Sequence, residues 1–398
     1  MTEPVSKTAS YTFTNWRRAK DDVPAQEIVE ATLFTDTWVT GEIPDLGPYS
    51  FINTIAHASD QPGRVLRPAV VMRMSHHYQP SADPAYRTPM ENDFEHYHGG
   101  DYLDEMAALA SLFLGRRLKA GGVNREFRGE DRFGRPSQFS GKPDPHLMLE
   151  GRTQIPRLAL PVNLNAGLPA LSTFPDRTVE QTNALIKAAR QYQQAVWIAD
   201  SDPSLAWLML VSAIETAVQE WSGKATPVEQ LELAFPELVK LIQESSSPEL
   251  LEPMADILKQ LTRSTKRFVD FMQSFPPPPP GTRPEEWMQF SYDPSNMKKV
   301  FSLIYGHRSM SLHRGTVFPL PMCEAPRFGR QGDESVTVHE RPFGLATTSR
   351  NASWKIEKTP MLLNTFEHLV RGALLNWWAS LDQVGDLDPL GCEPSQPN

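Results

Sequence analysis

The chain has 398 residues, 40% of them apolar and 22% charged, a mixture that supports packed cores and excludes a disordered or fibrous protein. Its net charge of −9 excludes a general attraction to nucleic acid, so any such contact has to use a local basic patch. The two cysteines, Cys323 and Cys392, lie far apart, which excludes a disulfide framework and a cysteine zinc site and fits a reducing compartment. The first residues, "MTEPVSKTASYTF", are polar and unlike a signal peptide. The longest apolar run, "LAWLMLVSAI", is about half the length of a membrane span. A cytoplasmic protein with no membrane partner is expected.

Before residue 170, proline, glycine and short mixed runs dominate. "EIVEATLFTDTWVTGEI" and "RVLRPAVVMRMSHHY" carry the β-branched content of strands. "DYLDEMAALASLFLGRRLKAGG" predicts one helix, with Leu103, Met106, Ala107, Ala110, Phe113, Leu114 and Leu118 as its apolar positions and Gly121 as its end. "REFRGEDRFGRP" predicts a turn-rich hairpin. The expected first domain is α+β, residues 1–170.

From about residue 178 the pattern turns helical. "DRTVEQTNALIKAARQYQQAVWIAD" places Val179, Leu185, Ile186, Ala189, Tyr192, Val196 and Trp197 on an apolar face, and Ser201, Asp202 and Pro203 break it. "SLAWLMLVSAIETAVQEW" is apolar almost all round and predicts a buried central helix, with Glu215 its one charge between Asp202 and Glu220. Two helices are expected near 227–243 and 248–273. "FPPPPPG" predicts a stiff extended connector. Asp293 and Pro294 cap and start a helix that runs to about His313, stopped by Gly315 and Pro319. An irregular stretch with short strands follows over 320–358, then a last helix in "PMLLNTFEHLVRGALLNWWASL". The expected architecture is therefore an α+β domain, then a mainly α helical bundle over 178–383, then a loose tail over 384–398.

The helix from 294 carries the candidate chemistry. Met297, Val300, Phe301, Ile304 and Leu312 form its apolar stripe, with Arg308 almost in line. Ser309 and His313, four apart, share a neighbouring face. Arg308 and His313, five apart, diverge by about 140° at 100° per residue, so a cleft lined from two sides suits them better than one small ligand. One reading is structural: Arg308 pairs with Glu215 across the core, and His313 is a helix-end histidine favoured by the macrodipole. The other is chemical. A histidine can take the proton from a ribose 2′-hydroxyl or return one to a leaving oxygen, and a fixed guanidinium can hold the phosphate. Together they suffice for RNA cleavage without metal, because the 2′-hydroxyl is an internal nucleophile. Lys298, Lys299, Arg308 and Arg314, with no acid after Asp293, give this helix a basic strip that could carry RNA.

The span 178–383 resembles the HEPN superfamily, in its Apea-like branch. The family mark is an arginine, a polar residue, three further residues and a histidine late in a helical bundle, and it stands here as "RSMSLH", Arg308 through His313. The leading "IY" with Tyr305, the trailing "RG" and the early helices "WIADSDPSLAWLMLVSAIETAV" with Glu215 are also similar to the branch. Ser309 stands where asparagine, aspartate or histidine is commoner. The resemblance implies a HEPN-like bundle that forms a homodimer through the motif helix. In active members, metal-independent endoribonucleases of toxin–antitoxin and antiviral defence systems, arginines and histidines from both subunits line one cleft. Other members are binding or assembly modules without activity. It further implies Arg308 and His313 as catalytic, Ser309, Glu215 and Tyr305 as supporting, and RNA or a protein partner such as an antitoxin, with no cofactor. The first half, especially "DEMAALASLFLGRRLKAGG" and "DRFGRP", resembles what precedes this bundle in some uncharacterised bacterial proteins.

Other constellations point to less. His96 and His98, with Asp101, Asp104, His76 and His77 nearby, fit a zinc pair on a strand, but no third ligand is fixed by spacing and a surface loop is expected instead. Arg125, Arg128, Arg132 and Arg135 are offset by Glu126, Glu130 and Asp131, so a self-paired hairpin is expected. Trp377 and Trp378 are expected in the core or at a dimer surface. No phosphate-binding glycine loop, His-Glu-x-x-His or nucleophile elbow occurs, which argues against a nucleotide hydrolase, a zinc protease or an esterase.

Overall fold

Val29, Ala31 and Leu33 alternate with half-exposed neighbours, so residues Glu27–Thr35 form a strand, β1, with one buried face. In this computed structural model the described residues are 8–55, 65–78, 97, 99–129, 131–137, 142–148, 152–221, 228, 231, 236–244, 250–258, 264–331, 335–343 and 352–381. Helix α1 (Tyr11–Lys20) precedes β1 and is capped by the Ser10 hydroxyl. After β1 come β2 (Val39–Thr40), β3 (Ile43–Leu46), β4 (Tyr49–Ile52) and β5 (Arg67–His76). Helix α2 (Tyr102–Leu114) then leads to β6 (Lys119–Phe127) and β7 (Arg135–Pro136). The six-stranded sheet is antiparallel throughout, in the order β3-β4-β5-β1-β6-β7. On its outer face Glu30 sits opposite Arg73, and the two form an ion pair at 2.6 Å. The short β8 (Val162–Asn163) pairs in parallel with β2.

Every residue of α2 except Asp104 is buried, because the helix is covered by the sheet on one side and by the helical half on the other. It ends earlier than its periodicity suggests. Gly115, at φ +62°, takes the left-handed conformation that stops it, and Gly121 lies within β6. Arg371, from the last helix, donates to the carbonyls of Leu112 and Phe113 at 2.7 and 2.5 Å. It thereby satisfies acceptors that the end of α2 would otherwise leave open.

The helical half begins with α3 (Val179–Ile198), whose capping box joins Thr178 and Gln181. Next is α4 (Pro203–Trp221), the central helix, with Asp202 accepting from the Leu205 amide at 2.9 Å. The two helices expected over 227–243 and 248–273 are α5 (Pro236–Glu244), α6 (Leu251–Leu258) and α7 (Ser264–Ser274). The prolines after Phe275 run extended along α9 (Leu363–Ser380), against a row of His368, Gly372 and Asn376. A Cβ on Gly372 would stand 2.3 Å from Pro277, so only glycine lets the connector lie this close. Helix α8 (Pro294–Arg314) starts at the Asp293 cap and stops at Gly315, as the sequence predicts. Between α8 and α9 the strands β9 (Phe328–Gln331) and β10 (Ser335–Val338) form a small hairpin. Residues 384–398 lie outside the described residues.

One buried apolar cluster runs from Trp16 and Leu33 through Phe113 and Tyr192 to Trp207, Phe366, Trp377 and Trp378. Trp207, on α4, stacks on Phe366 at 4.4 Å and on Phe318 at 5.4 Å. Two buried charge networks cross this core. Arg157 grips Glu367 with two nitrogens while the Tyr192 hydroxyl donates to the same carboxylate at 2.5 Å. Burial alone would raise the Glu367 carboxyl, but the Arg157 charge and these hydrogen bonds hold it below the usual range. Arg117 donates to Asp36 at 2.6 Å, to Asp200 at 2.7 Å and to the Val196 carbonyl at 2.7 Å, with its side chain 1% exposed. It ties the end of β1 to the corner between α3 and α4. Burial pushes the Asp36 carboxyl up, and Arg117, shared with Asp200, offsets only part of that.

Two stability predictions follow from these buried charges. Arg117→Met leaves two carboxylates buried without a cation, and urea unfolding of the full chain is expected to show a loss of about 3–5 kcal/mol. A loss below about 1 kcal/mol would remove the clamp from the account. Glu105, on α2, accepts the Thr12 amide at 2.8 Å through one oxygen, while its other oxygen is buried with no well-formed hydrogen bond. Burial pushes its carboxyl up to about 7 from 4.5. A raised folded value favours the protonated form, so this group's contribution is complete below pH 4.5 and is lost as pH rises through about 7. Glu105→Gln should therefore gain up to about 3 kcal/mol on the parent between pH 4 and pH 8, and parallel pH profiles would contradict the assignment.

Candidate functional site

Helix α8 lies antiparallel to α4. Near its middle Tyr305 and Arg308 meet Glu215, and past its end Phe318 donates its amide to Ser204 near the start of α4 at 3.1 Å. Met297, Val300, Phe301, Ile304 and Tyr305 are buried, and Phe268 of α7 packs against the Phe301 and Tyr305 rings. Arg308 continues this stripe, as its position predicts. Leu312 does not: it is 55% exposed. Eight residues beyond Ile304 it has rotated about 80° away, and burial along α8 ends at His307.

Glu215 is held from two directions. The Tyr305 hydroxyl donates to one of its oxygens at 2.6 Å and Arg308 donates to the other at 2.7 Å. The guanidinium carbon stands 5.4 Å from the centre of the Tyr305 ring. Both charged side chains are 21% exposed, so the pair sits at the edge of the core rather than sealed within it. The buried Nε of Arg308 has no partner, so the group is fixed by a single nitrogen at its tip and by ring packing. Electrostatically this is an oriented cation whose field is only partly spent on its carboxylate.

His313 is exposed in the last turn and makes no hydrogen bond or ion pair among the described residues. Ser309 is half-buried one turn before it. Along the axis Arg308 and His313 are separated by about 7.5 Å, and around it by about 140°. The fold thus joins Arg308, Tyr305 and Glu215 into one cluster, places Ser309 beside it and leaves His313 apart. Lys298, Lys299 and Arg314 are exposed on the same helix and form no ion pair among the described residues. Met310 and Val317, 39% and 62% exposed, are further open apolar side chains around this end, with Met310 about 160° round the helix from Leu312.

His307 is a contact that sequence reading did not separate from its neighbours. It is 9% exposed, its Nε2 lies 3.1 Å from the Lys358 carbonyl, and burial lowers its pKa. Its place on the helix face adjoining Ile304 was the available signal. The other motifs fall as follows. The hairpin between β6 and β7 is self-paired, with Arg128 on Glu126 and Arg135 on Asp131. His96 and His98 lie outside the described residues, and among the described residues no group of three or more His, Cys, Asp or Glu could hold a metal ion. His76 is half-buried edge-on to Tyr102, and desolvation lowers its pKa to about 4. Among the described residues no helix is long and apolar enough to cross a membrane. Compared with protein-family models, curated proteins and solved structures, the chain matches none.

Proposed function

We propose that the chain is a cytoplasmic, HEPN-like, metal-independent endoribonuclease, or an effector derived from one, that works as a homodimer through helix α8. The observation that carries this reading is the Arg308 guanidinium, held by Glu215 and Tyr305 at the core's edge, with an unpartnered His313 beyond it on the same helix. In this reading the guanidinium holds the scissile phosphate and stabilises the charge that develops on it. The imidazole takes the proton from the 2′-hydroxyl, whose oxygen then attacks phosphorus to form a 2′,3′-cyclic phosphate, and the expelled 5′-oxygen of the next nucleotide leaves as a hydroxyl with a proton from the imidazolium or from water. Glu215 and Tyr305 position the arginine, and Ser309 flanks the histidine.

The divergence of Arg308 and His313 around α8 explains the need for a second copy. The exposed Leu312, about 40° round the helix from Arg308, and Val317 just beyond its end supply apolar contacts through which two α8 helices could face each other, so that one copy's arginine meets the other's histidine. The same exposed apolar side chains and the Arg308–Glu215 ion pair favour a second reading, a non-catalytic module that binds a partner protein such as an antitoxin through this helix.

Incubation with end-labelled RNA in chelator separates the two. The first reading expects cleavage that His313→Ala and Arg308→Ala each reduce by about 100-fold or more. No cleavage by the parent, or cleavage that survives either substitution, would favour the binding module.

A further inference from the structure

A cleft of about 350 Å³ opens on the flank of α8 about four turns before its end. One wall is α8 itself, through Asn296, Lys299 and Leu303, and the other is built from residues 289–291, from Arg341 just after β10, and from Ile356, Glu357 and Pro360. Lys299 is exposed and Arg341 half-buried, and neither forms an ion pair among the described residues. Glu357 is the one acid among the lining residues, so the cleft keeps a positive balance in a chain whose net charge is −9. Its apolar lining includes Phe290, Val300 and Pro360 with Leu303 and the partly exposed Ile356. The Asn296 amide nitrogen is committed to the Ser291 carbonyl at 2.8 Å, which fixes its oxygen as a free acceptor.

The cleft also has a direction. At 100° per residue, Arg314 returns to within about 20° of Leu303, about 16 Å further along the helix. Lys299, Leu303, Met310 and Arg314 therefore form one row that leaves the cleft and passes beside His313. Two unpaired cations, an apolar surface between them and a free amide acceptor match the alternating phosphate and base of a single strand. A duplex would need a wider, flatter surface.

We propose that this cleft is a distal subsite for single-stranded RNA, with phosphates on Lys299 and Arg341 and a base against Leu303 and Ile356. The proposal rests on the ribonuclease reading of Arg308 and His313 and names where its substrate continues. Arg341 is the residue it adds.

The test uses the full-length His313→Ala protein, which should bind without cutting, with and without Arg341→Ala. Two labelled single strands are titrated by anisotropy: one long enough to span the ~21 Å of α8 from His313 to Lys299, one too short to do so. Arg341→Ala should weaken the long strand by about 3- to 10-fold and lower its salt slope by about 0.7, leave the short strand unchanged, and be restored in part by Arg341→Lys. Equal loss for both lengths, or no loss for either, overturns the subsite. If the parent still cuts RNA in that event, the ribonuclease reading survives and only the subsite falls. If the parent neither cuts nor binds RNA, both fall together.

Discussion

Arg117 sets the geometry on which the site depends. Its guanidinium is buried against Asp36 at the end of the central strand and against Asp200 at the corner where α3 gives way to α4. That corner is held further by the Gln154 amide, which donates to the other Asp200 oxygen at 2.8 Å. The direction in which α4 leaves the corner decides where Glu215 stands, three turns along. Glu215 in turn fixes Tyr305 and Arg308. A charge network in the sheet half of the molecule is therefore connected, through one rigid helix, to the orientation of the candidate phosphate-binding arginine. The price of burying such charges is high, and they are retained here at a junction where shape must be specific.

The Arg308–Glu215 pair is the contact that the structural reading expects, and the ribonuclease proposal asks it to do more. Arg117 and Arg371 are bonded through several of their nitrogens, and so are Arg157 and Arg283, although those two are 29% and 24% exposed and Arg283 also lies over a tyrosine, so what sets Arg308 apart is its single bonded nitrogen. Arg308 is partly open, bonded through one nitrogen and laid over a tyrosine. A positioned, incompletely neutralised cation is what an approaching phosphate needs. The carboxylate costs some field strength and supplies orientation, a trade common where preorganisation matters more than net charge.

Much of this was legible from residue patterns, and the failures have identifiable causes. The strand β1, the helix α2, the cap at Asp293 and the stop at Gly315 follow from local chemistry and appear as expected. The pairing of Arg308 with Glu215 was readable because a lone charge on an apolar helix needs a partner. Gly121 misled because apolar periodicity continued past Gly115 into a strand that is also buried, and a left-handed glycine outranks periodicity. Leu312 misled because periodicity counts faces but does not say where the neighbouring helices end. Arg117 with its two aspartates and Arg341 in the α8 cleft were invisible because each partnership spans scores of residues and exists only after folding.

The central claim of the proposal is that Arg308 and His313, about 140° apart around one α8 helix, meet a phosphate across two copies that share the site. Mixing the Arg308→Ala and His313→Ala proteins, under conditions that let subunits exchange, tests it directly. Each is expected to be inactive alone. Mixed dimers then contain one intact arginine and one intact histidine on different subunits, and RNA cleavage in chelator should return. If the mixture stays as inactive as its components while exchange is verified by labelled subunits, the shared site is wrong.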